Sequence, residues 1–236
     1  MEKKRIVVFT GAGVSADSGI ATFRDSDGLW ANYRIEEVCT PDALRNNRAK
    51  VVEFYNMRRR EALTKEPNAG HLAIASMEEW ADVCVITQNV DNLHERAGST
   101  RVLHLHGELM KLCSEKNHDL VYDINDGWEQ DLDARGEDGA LLRPYIVFFG
   151  ESVPMFDPAS RIVEHADILI VVGTSLAVYP AASLVYFVRD RKVPIYLVDP
   201  GNPDTNMIRN PLTHIQERGS VGLPQLVEQL KNEFAK

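Results

Sequence analysis

The chain has 236 residues, of which 44% are hydrophobic and 26% are charged. This composition predicts a soluble globular protein that buries a sizeable core. The formal net charge of −9 argues against a nucleic-acid-binding surface, although it would attract a cationic peptide. No apolar run approaches the roughly 18 residues of a membrane-spanning helix, and no secretion signal precedes the first strand. The three cysteines are widely spaced and odd in number, so we expect a reducing cytoplasm.

The first predicted element is a buried strand that ends in a glycine turn. The apolar run 6–9 is followed by Gly11-Ala12-Gly13, and the chain then starts a helix with Ala16 in the third small position. Such a turn offers backbone N–H groups and a helix dipole to a phosphate, although an ordinary strand-to-helix turn is the alternative. The polar loop 23–30 follows where a dehydrogenase would have a second strand. We therefore expect this loop to cover a ribose or nicotinamide, without hydride transfer.

Helices and further strands alternate along the rest of the chain. Helices are predicted at 41–45 with Thr40 as N-cap, and at 51–63, 68–80, 158–165, 180–189 and 223–234; strands are predicted at 83–87, 102–106, 145–149, 168–172 and 195–199. Continuous apolar strands between helices predict an α/β fold, with a Rossmann-like parallel sheet and helices on both faces. The acidic stretch 112–143 has no periodicity and predicts a loop-rich, mobile insert.

Polar residues follow two of the predicted strands at their carboxyl ends, where ligand crevices of such sheets lie. The segment 88–91 offers two amides and a carboxylate, which could hold a ribose and a carboxamide or could cap a helix. By alternation, His104 and His106 point to one face. His106 precedes a glycine at a strand end, which favours exposure to the crevice, whereas His94 and His104 are predicted to be structural.

The segment Gly11-Ala12-Gly13-x-Ser15-x-x-Ser18-Gly19-Ile20-x-x-Phe23-Arg24 closely resembles the signature of the sirtuins, which are NAD-consuming protein-lysine deacylases. Family members usually have Pro where this chain has Ala21. Ordered matches continue through Gln88-Asn89-Val90-Asp91, His106-Gly107, 147–151 and 173–180, so the resemblance covers nearly the whole chain except 112–143. It implies a Rossmann-like NAD-binding domain formed by 1–35, 81–111 and 144–236, a helical module at 36–80, and a second insert at 112–143 in place of the usual zinc module.

The resemblance also implies roles for individual residues. Asn89 and Asp91 would position the nicotinamide ribose and carboxamide of NAD, and His106 would be the general base. The other residues assigned to NAD are Gly11, Ala12, Gly13, Ser15, Ala16, Phe23, Arg24, Trp30, Gln88, Val90, Gly173, Thr174, Ser175, Asp199, Ser220 and Val221. Those assigned to the substrate peptide are Val147, Phe149, Gly150, Glu151 and Val178, with one of Phe148 and Phe149 expected in the core.

Tyr55 and Arg58 lie three residues apart on a predicted helix and therefore share a face. A solvated basic face is the plain interpretation, and Arg59 and Arg60 are expected to be solvated. The pair also resembles the Tyr-x-x-Arg motif of class III sirtuins, which implies binding of the acid end of a succinyl-, malonyl- or glutaryl-lysine. A guanidinium suits that role because it can grip a carboxylate through two charge-assisted hydrogen bonds.

Most sirtuins hold a structural zinc on two Cys-x-x-Cys pairs, but this chain has only Cys113 in the corresponding segment, so we predict no zinc. The predicted function is NAD-dependent removal of succinyl, malonyl, glutaryl and acetyl groups from protein lysines, yielding nicotinamide and O-acyl-ADP-ribose. Mono-ADP-ribosyl transfer and a non-catalytic NAD-binding sensor are the alternatives. The expected partners are acylated-lysine proteins or peptides, with no nucleic acid and no membrane, and a monomer is favoured.

Overall fold

The computed structural model describes residues 3–20, 33–124 and 127–234. Within these ranges, six parallel strands form one sheet in the order β3-β2-β1-β7-β8-β9. The strands of this sheet are β1 Arg5–Thr10, β2 Asp82–Thr87, β3 Val102–His104, β7 Ile168–Val172, β8 Ile195–Val198 and β9 Leu212–Ile215. The predicted Rossmann-like α/β fold is confirmed. The edge strand β9 was missed because its exposed, mixed sequence lacks the apolar run of the others.

Eight helices are described, together with two 3₁₀ segments at Met77–Glu79 and Ala181–Tyr186. They are α1 Gly13–Ala16, α2 Ile35–Val38, α3 Pro41–Asn46, α4 Arg48–Ala62, α5 Ala69–Ser76, α6 Leu93–Arg96, α7 Phe156–Glu164 and α8 Gly219–Phe234. The Thr40 cap is confirmed, since its hydroxyl accepts the N–H of Ala43 at 3.1 Å. The helix predicted at 180–189 is instead the shorter 3₁₀ segment. No described helix is long and apolar enough to cross a bilayer.

Apolar side chains cover both faces of the large sheet. On β1, Ile6 and Val8 pack with α5 and α8, whereas Val7 and Phe9 pack with α7 and the 3₁₀ segment Ala181–Tyr186. This period of two explains why the strands are apolar throughout, because each face must be buried. Each fully buried aliphatic side chain contributes about 1.5–3 kcal/mol, so this double core dominates the stability of the chain.

A second, antiparallel sheet has the order β5-β4-β6, with strands β4 Gly107–Ser114, β5 Val121–Asp123 and β6 Leu142–Ile146. Two predictions were therefore wrong. The strand predicted at 145–149 is replaced by β6, which pairs with β4 and not with the parallel sheet, and 112–143 is not simply a loop-rich segment. Local hydrophobicity does not reveal pairing partners, and Pro144 within β6 concealed its strand character.

Candidate active site

Two glycine loops meet at the carboxyl ends of β1 and β7. Gly13 donates its N–H to the carbonyl of Gly173 at 2.8 Å. A Cβ on Gly13 would lie 2.7 Å from Cα of Gly173, and one on Gly11 would lie 2.7 Å from Cβ of Thr174. Gly173 has φ of +59°, and a Cβ added to it would lie 2.4 Å from the backbone N of Val14. Contact between the two loops therefore requires glycine at these positions. The sequence had suggested a different reason for the glycine turn, the approach of a phosphate.

Ser15 connects the first glycine loop to the loop 88–91 that follows β2. Its buried hydroxyl donates to Oδ2 of Asp91 and accepts from Nδ2 of Asn89, both at 3.1 Å. The same Asn89 amide donates to the carbonyl of Gly11 at 3.2 Å. Burial raises the pKa of Asp91, although the Leu93 N–H, the Ser15 hydroxyl and the positive charges of His104 and Arg58 oppose that rise. The structure thus brings Ser15, Asn89 and Asp91 together, as predicted for one crevice.

Two buried histidines lie behind this cluster. His71, which sequence analysis did not single out, accepts the N–H of Asn68 at Nδ1 (3.3 Å), so its Nε2–H faces Ser15 Oγ at 3.4 Å. Burial lowers its pKa to about 4, so the ring is neutral at pH 7. His94 contacts Thr10 Oγ1 through Nε2 at 3.0 Å, and its ring lies 4.8 Å from that of His71. For His71, the signal available in the sequence was a polar ring within an otherwise apolar helix.

His106 follows the end of β3 and is half-buried. Its Nδ1 lies 3.0 Å from the carbonyl of Gln88, which can only accept, so Nδ1 carries the proton and Nε2 carries the lone pair. Burial lowers the pKa of His106, while the bond to Gln88 partly opposes the shift. The ring is thus a neutral base at pH 7. Gln88 also donates through its side chain to Thr174 Oγ1 at 3.1 Å, which links this loop to the one after β7.

Tyr55 and Arg58 share a face of α4, as predicted. The Tyr55 ring is fully buried and stacks on Phe148 at 5.9 Å, and its hydroxyl donates to Cys39 Sγ at 3.2 Å. The guanidinium of Arg58 lies 5.9 Å from the Tyr55 ring centre, and its charge acts on the pKa values of Cys39, Tyr55 and Asp91. The charge of Arg58, on α4, thus acts electrostatically on Asp91 in the loop 88–91.

The expectation that Arg59 is solvated was wrong. Its side chain is fully buried, because it turns toward the second insert and not toward solvent. Its Nε donates to the carbonyl of Trp128 at 2.9 Å, and its Nη2 donates to Asn56 Oδ1 at 3.1 Å and Gln130 Oε1 at 3.3 Å. Arg60 is exposed, and its guanidinium lies 5.8 Å from the Trp128 ring centre.

The segment after β6 lies against the loop that contains His106. Val147 donates its N–H to the carbonyl of His106 at 2.9 Å, and Phe149 donates to the carbonyl of Cys39 at 3.0 Å. Phe148 is 1% exposed and Phe149 is 45% exposed, so one of the pair belongs to the core. The carboxylate of Glu151 binds Arg143 and the N–H of Phe148, which gives it a role within the fold.

The remaining predicted residues belong to several separate elements. Thr174 is buried, and Val178 and Val221 are exposed. Asp199 directly follows β8 and accepts the N–H of Gly201 at 2.8 Å. Ser220 donates to Asp17 beside the first glycine loop. Ala12, Val90 and Ser175 are half-buried, Ala16 is exposed, and Gly150 has φ of +91°. Phe23, Arg24 and Trp30 fall outside the described residues.

The absence of the family's structural zinc stays a prediction. Cys113, the one cysteine of this segment, is buried in β4, and burial raises the pKa of its thiol to about 11. Among residues 3–20, 33–124 and 127–234, no three His, Cys, Asp or Glu side chains converge as an ion would need. The second insert is instead held to α4 through Arg59 and its partners.

The fold and crevice define an α/β protein whose parallel sheet gathers amide, carboxylate, hydroxyl and imidazole groups at its carboxyl edge. The model of the Sir2 family matches residues 11–180. The NAD-dependent protein deacylase of Bacteroides thetaiotaomicron is 47% identical over 97% of each chain, and that of Aggregatibacter actinomycetemcomitans is 51% identical over 88% of this chain and 97% of its own. The chain belongs to the Sir2 family, which confirms the sirtuin resemblance.

Solved structures agree with this assignment. A Sir2 homologue in complex with ADP-ribose has a TM-score of 0.87 and 38% identity, covering 99% of this chain and 94% of the other. A Sir2 homologue in complex with NAD has a TM-score of 0.84 and 38% identity, covering 99% and 91%.

Proposed function

We propose that this chain is an NAD-dependent protein-lysine deacylase that prefers lysines carrying acidic acyl groups. The observation that carries the reaction is the convergence of Asn89, Asp91 and His106 on one crevice, with the His106 ring held as a neutral base. The relatives named NAD-dependent protein deacylase support the same activity. The donor set fits NAD, since hydroxyls and a carboxamide are bound by amide and carboxylate groups.

NAD supplies the glycosidic bond whose cleavage releases nicotinamide, and the ribose that accepts the acyl group. In this proposal Ser15 holds the side chains of Asn89 and Asp91 in fixed positions, so that no reorientation is needed when the ligand binds. Nε2 of His106 accepts the proton of a ribose hydroxyl, because Nδ1 is already committed to the Gln88 carbonyl. The residues of the two glycine loops and Asp199 would hold the rest of the dinucleotide.

The acid preference depends on Arg58. Its guanidinium is half-buried beside the Tyr55 ring and electrostatically coupled to Cys39 and Asp91, so it carries positive charge toward the crevice. A carboxylate at the end of an acyl chain could accept two charge-assisted hydrogen bonds from it. The substrate peptide would lie along 147–151, where main-chain pairing would extend the chain's own strand.

The experiment compares one peptide carrying acetyl- or succinyl-lysine, with and without NAD, and follows both free lysine and nicotinamide. We expect NAD-dependent cleavage with the succinyl peptide preferred. Arg58→Met should lower kcat/KM for the succinyl peptide at least about 100-fold, since two hydrogen bonds to a charged group contribute about 3–6 kcal/mol together. The acetyl peptide should change by less than about threefold, because it offers no charge to the guanidinium.

Arg60→Met is the matched control, because Arg60 lies on the same helix but is exposed over Trp128. Equal losses on both peptides in Arg58→Met would contradict the acid preference. Nicotinamide release without free lysine in the wild-type chain would favour ADP-ribosyl transfer.

A further inference from the structure

The His104 ring makes two hydrogen bonds that only a protonated imidazole can make together. Its Nδ1 lies 2.8 Å from the carbonyl oxygen of Asn89, and its Nε2 lies 2.8 Å from Oε1 of Glu95. A carbonyl and an ionised carboxylate are both pure acceptors, so both ring nitrogens must carry hydrogen. His104 is therefore an imidazolium bridge between Asn89 and Glu95, beyond the structural role expected from sequence.

The surrounding charges support this state of the ring. Burial lowers the pKa of His104, but the hydrogen bond to Glu95 and the charge of Glu95 raise it by more than burial lowers it. The net pKa of His104 therefore lies above its ordinary value. Burial likewise raises the pKa of Glu95, but His104 lowers it more. The other titratable groups that act on or respond to the ring are Glu108 on β4, Asp91 before α6 and His94 on α6, and burial keeps His94 neutral.

The bridge completes a closed path of contacts around the loop 88–91. Asp91 accepts the N–H of Leu93 at 3.1 Å, which ties the loop to the start of α6. Glu95 lies on the same helix and returns through His104 to the Asn89 carbonyl. The Asn89 main chain is thus held from α6 and β3, while its side chain is held by Ser15 and Gly11.

We propose that His104 and Glu95 form a positioning pair that holds the Asn89 carbonyl and so aligns the side chains of Asn89 and Asp91 for nicotinamide release. This inference rests on the proposed function. Neither residue of the pair needs to touch substrate.

Loss of the ring proton at alkaline pH must break one of the two contacts. A neutral ring has one N–H, so either Nδ1 presents a lone pair to the Asn89 carbonyl or Nε2 presents one to the Glu95 carboxylate. Both arrangements are repulsive. A glutamine at position 95 removes the conflict, because its amide can accept from Nε2–H or donate to bare Nε2. The ring can then keep Nδ1–H on the Asn89 carbonyl whether it is charged or neutral.

The test measures kcat and KM for an acylated peptide between about pH 6 and 9.5, a range that spans the ordinary His pKa and its upward shift. The chains compared are wild type, Glu95→Gln, His104→Phe and the control His118→Phe, which replaces an exposed histidine. We expect wild-type kcat to decline at alkaline pH and Glu95→Gln to lose that decline. His104→Phe should lower kcat about tenfold at neutral pH, with KM within about twofold, because the charge-assisted hydrogen bond to the Asn89 carbonyl is lost. The deficit should shrink at alkaline pH, where the wild-type ring also loses its proton.

An alkaline decline in Glu95→Gln identical to that of the wild type would overturn the proposal. A fall of kcat in His104→Phe that only follows its folded fraction, measured by circular dichroism, would also overturn it. Nitrogen-15 NMR of the His104 ring in the free protein gives an answer independent of activity: both nitrogens protonated at neutral pH supports the pair, and a neutral ring refutes it. Absence of turnover in the wild-type chain would instead refute the proposed deacylase function.

Discussion

Arg59 is a buried cation whose replacement tests how the second insert is held. The structure gives it no carboxylate partner among the described residues; its hydrogen bonds run to Trp128, Asn56 and Gln130. Gln130 in turn donates to the carbonyl of Leu142 at the start of β6. Arg59→Met keeps most of the aliphatic stem and removes only the charged head, so it isolates the polar contribution.

The magnitude follows from two opposing effects. Hydrogen bonds from a charged donor contribute about 1.5–3 kcal/mol each, so the contacts of Nε and Nη2 together contribute about 4–9 kcal/mol. Against this, burial lowers the pKa of Arg59 to about 10, which corresponds to about 3 kcal/mol of disfavoured charge. Nη1 adds to that penalty, because it is buried without a hydrogen-bond partner among the described residues. Subtracting the penalty from the hydrogen bonds leaves about 1–6 kcal/mol, and we take the middle of this range, about 2–4 kcal/mol, as the expected loss in the free energy of unfolding.

Urea unfolding and thermal melting measure this loss directly. For a chain of this length, about 2–4 °C of Tm is lost per kcal/mol, so Tm should fall by about 5–15 °C. Arg60→Met, at the neighbouring exposed position, should stay within about 0.5 kcal/mol of wild type. Amide exchange should accelerate first in 128–142. A chelator should leave the wild-type Tm unchanged.

Equal or greater stability of Arg59→Met relative to Arg60→Met would refute the reasoning. It would mean that desolvation of the guanidinium outweighs its hydrogen bonds, as buried ion pairs sometimes show.

Three further predictions concern the crevice and its support. His106→Ala should abolish deacylation, while calorimetry should still detect NAD binding. The acid limb of wild-type kcat/KM should lie below pH 6.5, because burial lowers the pKa of His106 and its neutral form is the base. An acid limb above pH 6.5 would contradict this assignment. Gly13→Ala should destabilise the fold by about 1–3 kcal/mol and impair NAD binding, because its Cβ would meet backbone of Gly173; unchanged melting and binding would contradict it. The pKa of His71 is about 4 in the folded protein and about 6.5 in the unfolded chain, so the free energy of unfolding should fall as the pH is lowered from 6.5 to 4, by about 3 kcal/mol in all. His71→Phe should flatten that slope, and an unchanged slope would contradict the assignment.

The local sequence pattern was sufficient to predict the elements whose hydrophobic residues recur with a clear period. The apolar strands around β1, β7 and β8, the Thr40 cap and the α4 face shared by Tyr55 and Arg58 all depend on residues near one another in the chain. The polar segment 88–91 and His106 could be found because they follow strands directly, and parallel strands place their carboxyl ends at one edge.

Pairing between distant segments could not be read in this way. β6 joins β4 and not the large sheet, because hydrogen-bond partners depend on the three-dimensional arrangement of the strands. The burial of Arg59 could not be predicted, because the sequence of α4 does not indicate that the second insert packs over this position. His104 was taken for a structural histidine, and its bridge depends on Glu95 and Asn89 arriving from different elements.

The period of the strands and the order of the motifs are visible along the chain, and they were enough to establish the class of fold, the family and the chemical groups gathered in the crevice. Which glycines meet backbone, which histidines are neutral and which arginine is buried depended on the folded arrangement. Desolvation and hydrogen bonding depend on every atom within a few ångströms, and those atoms come from remote parts of the chain.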